Sequence, residues 1–124
     1  MARPNDLVPR VHDFALAALK FYRGLPKSRE AQVPGTQFYR AATAIASNYR
    51  AARRGRSRAE FNAKLGTVVE ETDEAVGWLE YLRDGKIAFD EPLLVEAHAL
   101  RRIFGKSLGT ARRNSKKGPS SPVL

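Results

Sequence analysis

One apolar stripe runs through residues 57–84 and decides what kind of fold this chain can adopt. Its members recur at steps of three and four, which is the spacing of one face of an α-helix and not of a strand. They are Phe61, Leu65, Val68, Thr72, Ala75, Leu79 and Leu82. Ser57 followed by Glu60 has the spacing of a capping box, so the helix is predicted to begin there. Its opposite face is acidic and is predicted to lie outside the core.

Three more segments show helical periodicity. The first covers roughly residues 7–24, the second about 34–54, and the last opens at Asp90, a residue type that caps helices. Between the first two, "GLPKSREAQVPG" carries two prolines and two glycines and is predicted to interrupt helical structure. No strand pattern is visible in the sequence. Four helices with short connections predict an all-α, antiparallel up-down four-helix bundle.

The globular part is predicted to cover residues 1–111 as a single domain. A chain of 124 residues is long enough to bury a core without disulfides or a structural metal. The last residues, "RRNSKKGPSSPVL", contain few apolar side chains, so residues 112–124 are predicted to form a disordered basic tail.

Several functional classes lack any support in the sequence. There is no cysteine, and the two histidines, His12 and His98, are too isolated for a metal set or a hydrolytic triad. The acidic run "EETDE" has no histidine at the offset that bundle di-metal sites use. No phosphate-binding or nucleophile motif is present. We therefore expect no enzyme activity, no catalytic residue, no metal and no cofactor.

The location of the protein is predicted from what the sequence lacks. The longest apolar run, "FALAAL", is far shorter than the ~20 residues that span a bilayer. The N-terminal "MARPNDLVPR" has no hydrophobic region of a signal peptide. The expectation is a cytoplasmic protein without a membrane partner.

Apolar residues occupy most of the circumference of the first segment, which is more than one neighbouring helix would cover. This pattern suggests a second buried surface, against another subunit. We expect Phe14, Phe21 and Tyr22 to lie there, together with Trp78, which follows the stripe of the third segment at its edge.

The net charge of +9 is concentrated in the first half of the chain, where "SNYRAARRGRSRAEF" carries five arginines. Three interpretations remain open. Arg50, Arg53 and Arg54 can pair across a subunit interface with the acids of 70–74, the cluster can bind phosphates, or it can simply be solvated. Arg50 and Arg54 share the polar face of the second helix and suit pairing. Arg56 and Arg58 flank the helix cap and are better placed to meet phosphate.

The same region resembles a known family. "QFYRAATAIASNYRAARRGRSRAEFNAKL", followed by "VVEETDEAVGWLEYL", is similar to the four-helix-bundle proteins related to the 23S rRNA intervening-sequence proteins. The family pattern on the second helix is matched by Gln37, Arg40, Ala41, Ile45 and Asn48. One branch continues as this chain does at residues 48–52, 57–61, 70–74 and 78–80. The resemblance covers about residues 7–108.

The resemblance implies an antiparallel bundle that assembles as a homopentamer around a central channel, without an established enzymatic activity. A related accessory protein of diversity-generating retroelements works with a reverse transcriptase and binds nucleic acid through a basic surface. We therefore expect a homo-oligomer, most simply a pentamer, that binds RNA or DNA without strong sequence specificity. The alternative is an assembly or adaptor module whose charges serve only subunit and protein contacts.

These expectations assign residues to two surfaces. The nucleic-acid-binding surface is predicted to comprise Arg53, Arg56, Arg58, Arg112, Arg113, Lys116 and Lys117. The subunit interface is predicted to comprise Phe14, Phe21, Tyr22, Arg50, Arg54, Glu70, Glu71, Glu74 and Trp78.

Overall fold

The structure, a computed structural model, describes residues 7–116 and contains four helices in that range. Helix α1 spans Leu7–Arg23, α2 spans Arg29–Arg53, α3 spans Arg58–Asp84 and α4 spans Glu91–Ser115. Each helix packs against the next one in the chain, and α1 and α4 meet only at a narrow contact. The predicted all-α four-helix bundle is confirmed for these residues. None of the helices within 7–116 combines the length and apolar character that a membrane crossing requires.

The predicted starts of α3 and α4 are both confirmed. Ser57 accepts a hydrogen bond on its hydroxyl oxygen from the backbone N–H of Glu60, at 3.1 Å. Asp90 accepts one on Oδ1 from the backbone N–H of Leu93, at 2.9 Å. Each cap therefore satisfies a first-turn donor that has no partner within its own helix.

Helix α3 ends in a Schellman motif with a lysine at the left-handed position. The N–H of Ile87 donates to the carbonyl of Leu82 at 2.9 Å, and the N–H of Lys86 donates to Arg83 at 3.0 Å. Lys86 has φ 58°, a conformation that costs a residue with a Cβ free energy and that glycine adopts readily. The glycine of this turn, Gly85, lies one position earlier, where the backbone is right-handed.

Helix α2 begins five residues earlier than predicted, and this boundary prediction is wrong. Ser28 adopts an extended conformation, and its carbonyl accepts hydrogen bonds from Ala31 and Gln32 at 3.2 and 2.9 Å. The side chain of Gln32 also donates to the carbonyl of Pro26 at 2.8 Å. Pro34 is therefore inside the helix, where its ring removes one backbone donor close to the helix start and does not end the helix.

The core is formed by the facing stripes of the four helices. The predicted stripe of α3 is confirmed, because six of its members are buried and Phe61 is partly buried against the core: Leu65, Val68, Thr72, Ala75, Leu79 and Leu82. The hydroxyl of Thr72 donates to the carbonyl of Val69 at 2.7 Å, so the one polar side chain of the stripe is satisfied.

Aromatic contacts join the helices within this core. Phe38 is fully buried and meets Phe14 and Phe21 edge-on, with ring centroids 6.2 and 5.7 Å apart. Phe14 is only 2% exposed, so its prediction as a subunit-interface residue is wrong. Its apolar character is explained by packing inside one chain, since α1 presents Val11, Phe14 and Ala18 to the core.

Helix α4 ends later than predicted. Residues 112–115 are helical and continue α4, so the tail does not begin at Arg112. Arginine is a good helix former, and positive charge in the last turn interacts favourably with the negative end of the helix dipole. Lys117 and the rest of the predicted tail lie outside the described residues, as do residues 1–6.

Candidate functional site

The antiparallel arrangement brings two positively charged stretches of the chain to one end of the bundle. We define the basic end as residues 53–62 and 111–116, which are the end of α2, the loop after it, the first turns of α3 and the last turns of α4. Asn62 Nδ2 donates to Ser115 Oγ at 2.8 Å, so α3 begins where α4 ends. The basic end contains seven basic side chains and one acid, Glu60. The basic ones are Arg53, Arg54, Arg56, Arg58, Arg112, Arg113 and Lys116.

The loop between α2 and α3 is short, and this concentrates the arginines. The N–H groups of Arg54 and Gly55 donate back to Ala51 and Ala52 at 3.1 and 3.0 Å, which closes the last turn of α2. A Cβ at Gly55 would lie 3.1 Å from the carbonyl oxygen of Ala52 and 3.3 Å from the backbone nitrogen of Phe61. A side chain at this position would therefore be tight against the backbone of both helices.

Two of the basic side chains are held by neighbours on their own helix. Arg53 donates from a guanidinium nitrogen to the hydroxyl of Tyr49 at 3.3 Å, and the Tyr49 ring packs on the buried Phe104 with centroids 5.0 Å apart. Arg113 donates to the hydroxyl of Thr110 at 3.1 Å. Both of these contacts are to neutral hydroxyl groups.

Acidic partners are absent from most of the basic end. Five of the basic side chains form no ion pair with any carboxylate within residues 7–116. They are Arg54, Arg56, Arg112, Arg113 and Lys116. All five are exposed. The carboxylates that form ion pairs with arginines in the described chain lie outside the basic end, and their partners are Arg10, Arg40, Arg83 and Arg101. The basic end is therefore a surface of excess positive charge.

Two adjoining grooves cross this surface. The first has a volume of about 450 Å³ and lies between the α2–α3 loop and the end of α4: Gly55, Arg56, Ser57, Arg58, Phe61, Asn62, Ala111 and Asn114. The second, of about 480 Å³, continues along α4 from Ile103 to Asn114 and shares Ala111 and Asn114 with the first. In the wall of the first groove, Asn62 Oδ1 is buried and has no hydrogen-bond partner in the described chain.

The fold has a counterpart among solved structures. No family model matches the sequence, and no curated protein matches it. Among solved structures, a protein of unknown function from Bacteroides thetaiotaomicron, assigned to the S23 ribosomal protein family, superimposes with a TM-score of 0.76. The alignment has 24% identity and covers 83% of this chain and 95% of the other. The chain has the fold of an S23 family protein.

This finding confirms the likeness that was read from the sequence, because S23 is the family of the 23S rRNA intervening-sequence proteins. At this level of identity the likeness establishes the fold.

Two of the three acids predicted at a subunit interface, Glu71 and Glu74, have a partner within the S23 fold itself. Arg40 on α2 donates to Glu71 on α3 at 3.2 and 3.3 Å and to Glu74 at 2.8 Å. The hydrogen bond to Glu71 raises the pKa of Arg40 above its ordinary value, and burial opposes that shift. Arg50 is ten residues farther along α2, about 15 Å away, so it cannot reach these acids in its own chain.

Sequence reasoning named Arg40 as part of the family pattern on the second helix and missed its ion pairs with α3. One signal in the sequence could have indicated these ion pairs. Residues 31–59 contain no acid, whereas the next helix carries the acidic run at 70–74. Arg50, Arg54 and Glu70 are exposed, and their predicted role at a subunit interface stays a prediction.

The remaining predicted interface residues are aromatic and only partly buried. Phe21 packs against Phe38, and Tyr22 stacks on Tyr39 with centroids 5.2 Å apart. Trp78 meets Tyr81 edge-on at 5.8 Å, and Tyr81 is 57% exposed. These rings retain surface that a second subunit could cover, so their interface role also stays a prediction.

Proposed function

We propose that this chain is a non-enzymatic, homo-oligomeric protein that binds RNA or DNA through the basic end, without strong sequence specificity. One observation carries the proposal: two stretches that are far apart in the sequence converge in the S23 fold and place seven basic side chains beside a single acid. The structural neighbour is assigned to a ribosomal protein family, and this assignment is in keeping with a nucleic-acid partner.

The chemistry of the basic end suits a polyanion such as the phosphate backbone of a nucleic acid. Arginine presents a planar fork of donors that matches phosphate oxygens, and four of the seven residues lie within six positions of the chain. Like charges at this spacing repel one another, and a polyanion relieves that repulsion. No set of side chains that reads base edges in a duplex groove is evident, so affinity is expected to come from charge.

Assembly would multiply this surface. We propose a homo-oligomer, most simply a pentamer, because a ring repeats one modest basic patch several times and raises the avidity for a long polyanion. Exposed large apolar side chains support assembly: Leu16, Val33, Tyr81, Phe89 and Val95 are each more than half exposed.

A second candidate function is a protein adaptor. The observation in its favour is an apolar groove of about 710 Å³ between α1 and α4, lined by Phe14, Phe21, Leu25, Phe89 and Leu93 among others. Concave apolar surfaces of this kind accept partner side chains. In the adaptor interpretation the basic end contacts only acidic protein surfaces or other subunits.

Charge-matched variants separate the two functions. Arg56→Gln with Arg112→Gln removes two positive charges from two different segments of the basic end. Lys20→Gln with Arg23→Gln removes two exposed charges at the opposite end of the bundle. Nucleic-acid binding at the basic end predicts that the first pair weakens binding several-fold more than the second. Equal weakening would show that only net charge matters, and no binding by the unmodified protein would favour the adaptor.

A further inference from the structure

The groove at the basic end has a shape and a lining that bare phosphate binding does not require. Arg56 and Arg58 lie at one side of it, and Ala111 and Asn114 of α4 form the other. Phosphates of a duplex lie on a convex outer surface, and they need only exposed cations to bind. Binding of a duplex backbone therefore does not require the recessed groove behind the arginines.

The lining of the groove resembles what unpaired bases bind. Phe61 supplies a partly exposed ring, and stacking on an aromatic side chain holds bases of any sequence. Asn114, exposed on α4, supplies a side-chain amide, which can pair with the donors and acceptors of base edges.

The adjoining groove extends the site along α4. It shares Ala111 and Asn114 with the first groove and adds Lys106 and Thr110, so a cation and a hydroxyl flank the second recess as well. Two neighbouring recesses beside a line of cations match a strand whose successive bases are splayed from a phosphate backbone.

Resting on the proposed function, we infer that the basic end takes single-stranded in preference to duplex nucleic acid, and that it seats an unpaired base in the groove between Phe61 and Asn114. The arginines hold the backbone, and the groove holds the base. The surface thus prefers single-stranded to duplex nucleic acid and accepts different base sequences.

The test compares three labelled probes by fluorescence anisotropy at one low salt concentration. They are a mixed-sequence single strand of about 20 nucleotides, its duplex, and a strand of the same length whose bases are largely replaced by abasic sites. The abasic strand carries the phosphates without the bases. We expect the affinity for the single strand to be roughly fivefold higher, or more, than the affinity for either other probe. Fivefold corresponds to the lower end of the stabilisation from stacking one base, about 1 kcal/mol.

Two variants locate the base. Ala111→Leu fills the shared wall of the two grooves and keeps a good helix former, whereas Ala63→Leu makes the same change on the exposed outer face of α3. The groove variant should reduce single-strand binding to the level of the duplex and leave duplex binding unchanged, while the control changes neither. If the leucine of Ala111→Leu disturbs folding, Asn114→Ala provides an independent test, because Asn114 is exposed at the end of α4. This variant should also lose the preference for the single strand.

Two results would overturn the inference alone. These are equal affinity for the single strand, the duplex and the abasic strand, or an equal loss for all probes in the groove variants. Either result would leave the proposed binding of nucleic acid by charge intact. If the unmodified protein binds none of the three probes, the inference falls together with the proposed function.

Discussion

Asn62, in the second turn of α3, donates a 2.8 Å hydrogen bond to Ser115 in the last turn of α4. The two residues are 53 positions apart, and their contact joins the arginines of the α2–α3 loop to the basic side chains of α4. The excess positive charge at this end of the bundle is therefore a product of the antiparallel packing and not of one sequence cluster.

Truncation of the α3 stripe should be costly. Leu65 and Leu79 are 1% and 3% exposed, so replacing either with alanine should lower the free energy of unfolding by about 2–5 kcal/mol. Lys64→Ala, one residue away and exposed, should change it by less than about 0.5 kcal/mol. Urea denaturation measures all three, and equal small effects would mean that the wrong face of α3 has been placed in the core.

The left-handed residue after α3 offers a stabilising substitution. Lys86→Gly should raise the free energy of unfolding by about 1 kcal/mol, because glycine adopts φ 58° without the Cβ clash. Lys86→Ala removes the same charge but keeps the Cβ, so it should bring no such gain. A gain in the alanine variant equal to that in the glycine variant would assign the effect to charge.

The Arg40 pairs should contribute modestly to stability. Arg40 is nearly half exposed, whereas the Glu71 side chain is 13% exposed, so solvent screens only one partner well. A double-mutant cycle of Arg40→Ala and Glu71→Gln should give a coupling energy of about 0.2–1 kcal/mol, and added salt should reduce it. A coupling of zero at low salt would show that the two side chains do not interact in solution.

Assembly can be tested by sedimentation or light scattering. We expect a mass several times the 13.8 kDa of one chain, because exposed apolar side chains remain on the surface of the monomer. Arg50→Gln with Arg54→Gln should lower that mass if these residues pair with acids of a neighbouring subunit, whereas Arg56→Gln with Arg112→Gln should not. A monomer at micromolar concentration would contradict the proposed oligomer.

Local signals in the sequence predicted the architecture well. The steps of three and four placed Leu65 and Leu79 in the core, and the spacing from Ser57 to Glu60 placed the start of α3. Both signals act within one or two turns of helix, so no knowledge of the neighbouring helices is needed. Pro34 misled the prediction because it was read as a helix breaker, although its position near the helix start makes one missing donor tolerable.

Features that depend on how helices meet could not be predicted. Whether Phe14 faces its own core or another subunit is decided by the position of Phe38 on α2. The pairing of Arg40 with Glu71 depends on the register between α2 and α3. The groove beside Asn114 exists only because the end of α4 lies next to the α2–α3 loop. Periodicity reveals which face of a helix is apolar, but it carries no information on these registers.

The central claim is tested most directly by the salt dependence of nucleic-acid binding. Filter binding of the unmodified protein to RNA and to DNA, from low to physiological salt, should give a steep linear fall of log affinity with log salt concentration, because each neutralised phosphate releases counterions. Arg56→Gln with Arg112→Gln should flatten that slope by about one unit or more without changing the oligomer. Absence of binding to either nucleic acid at low salt, or an affinity indifferent to salt, would contradict the account.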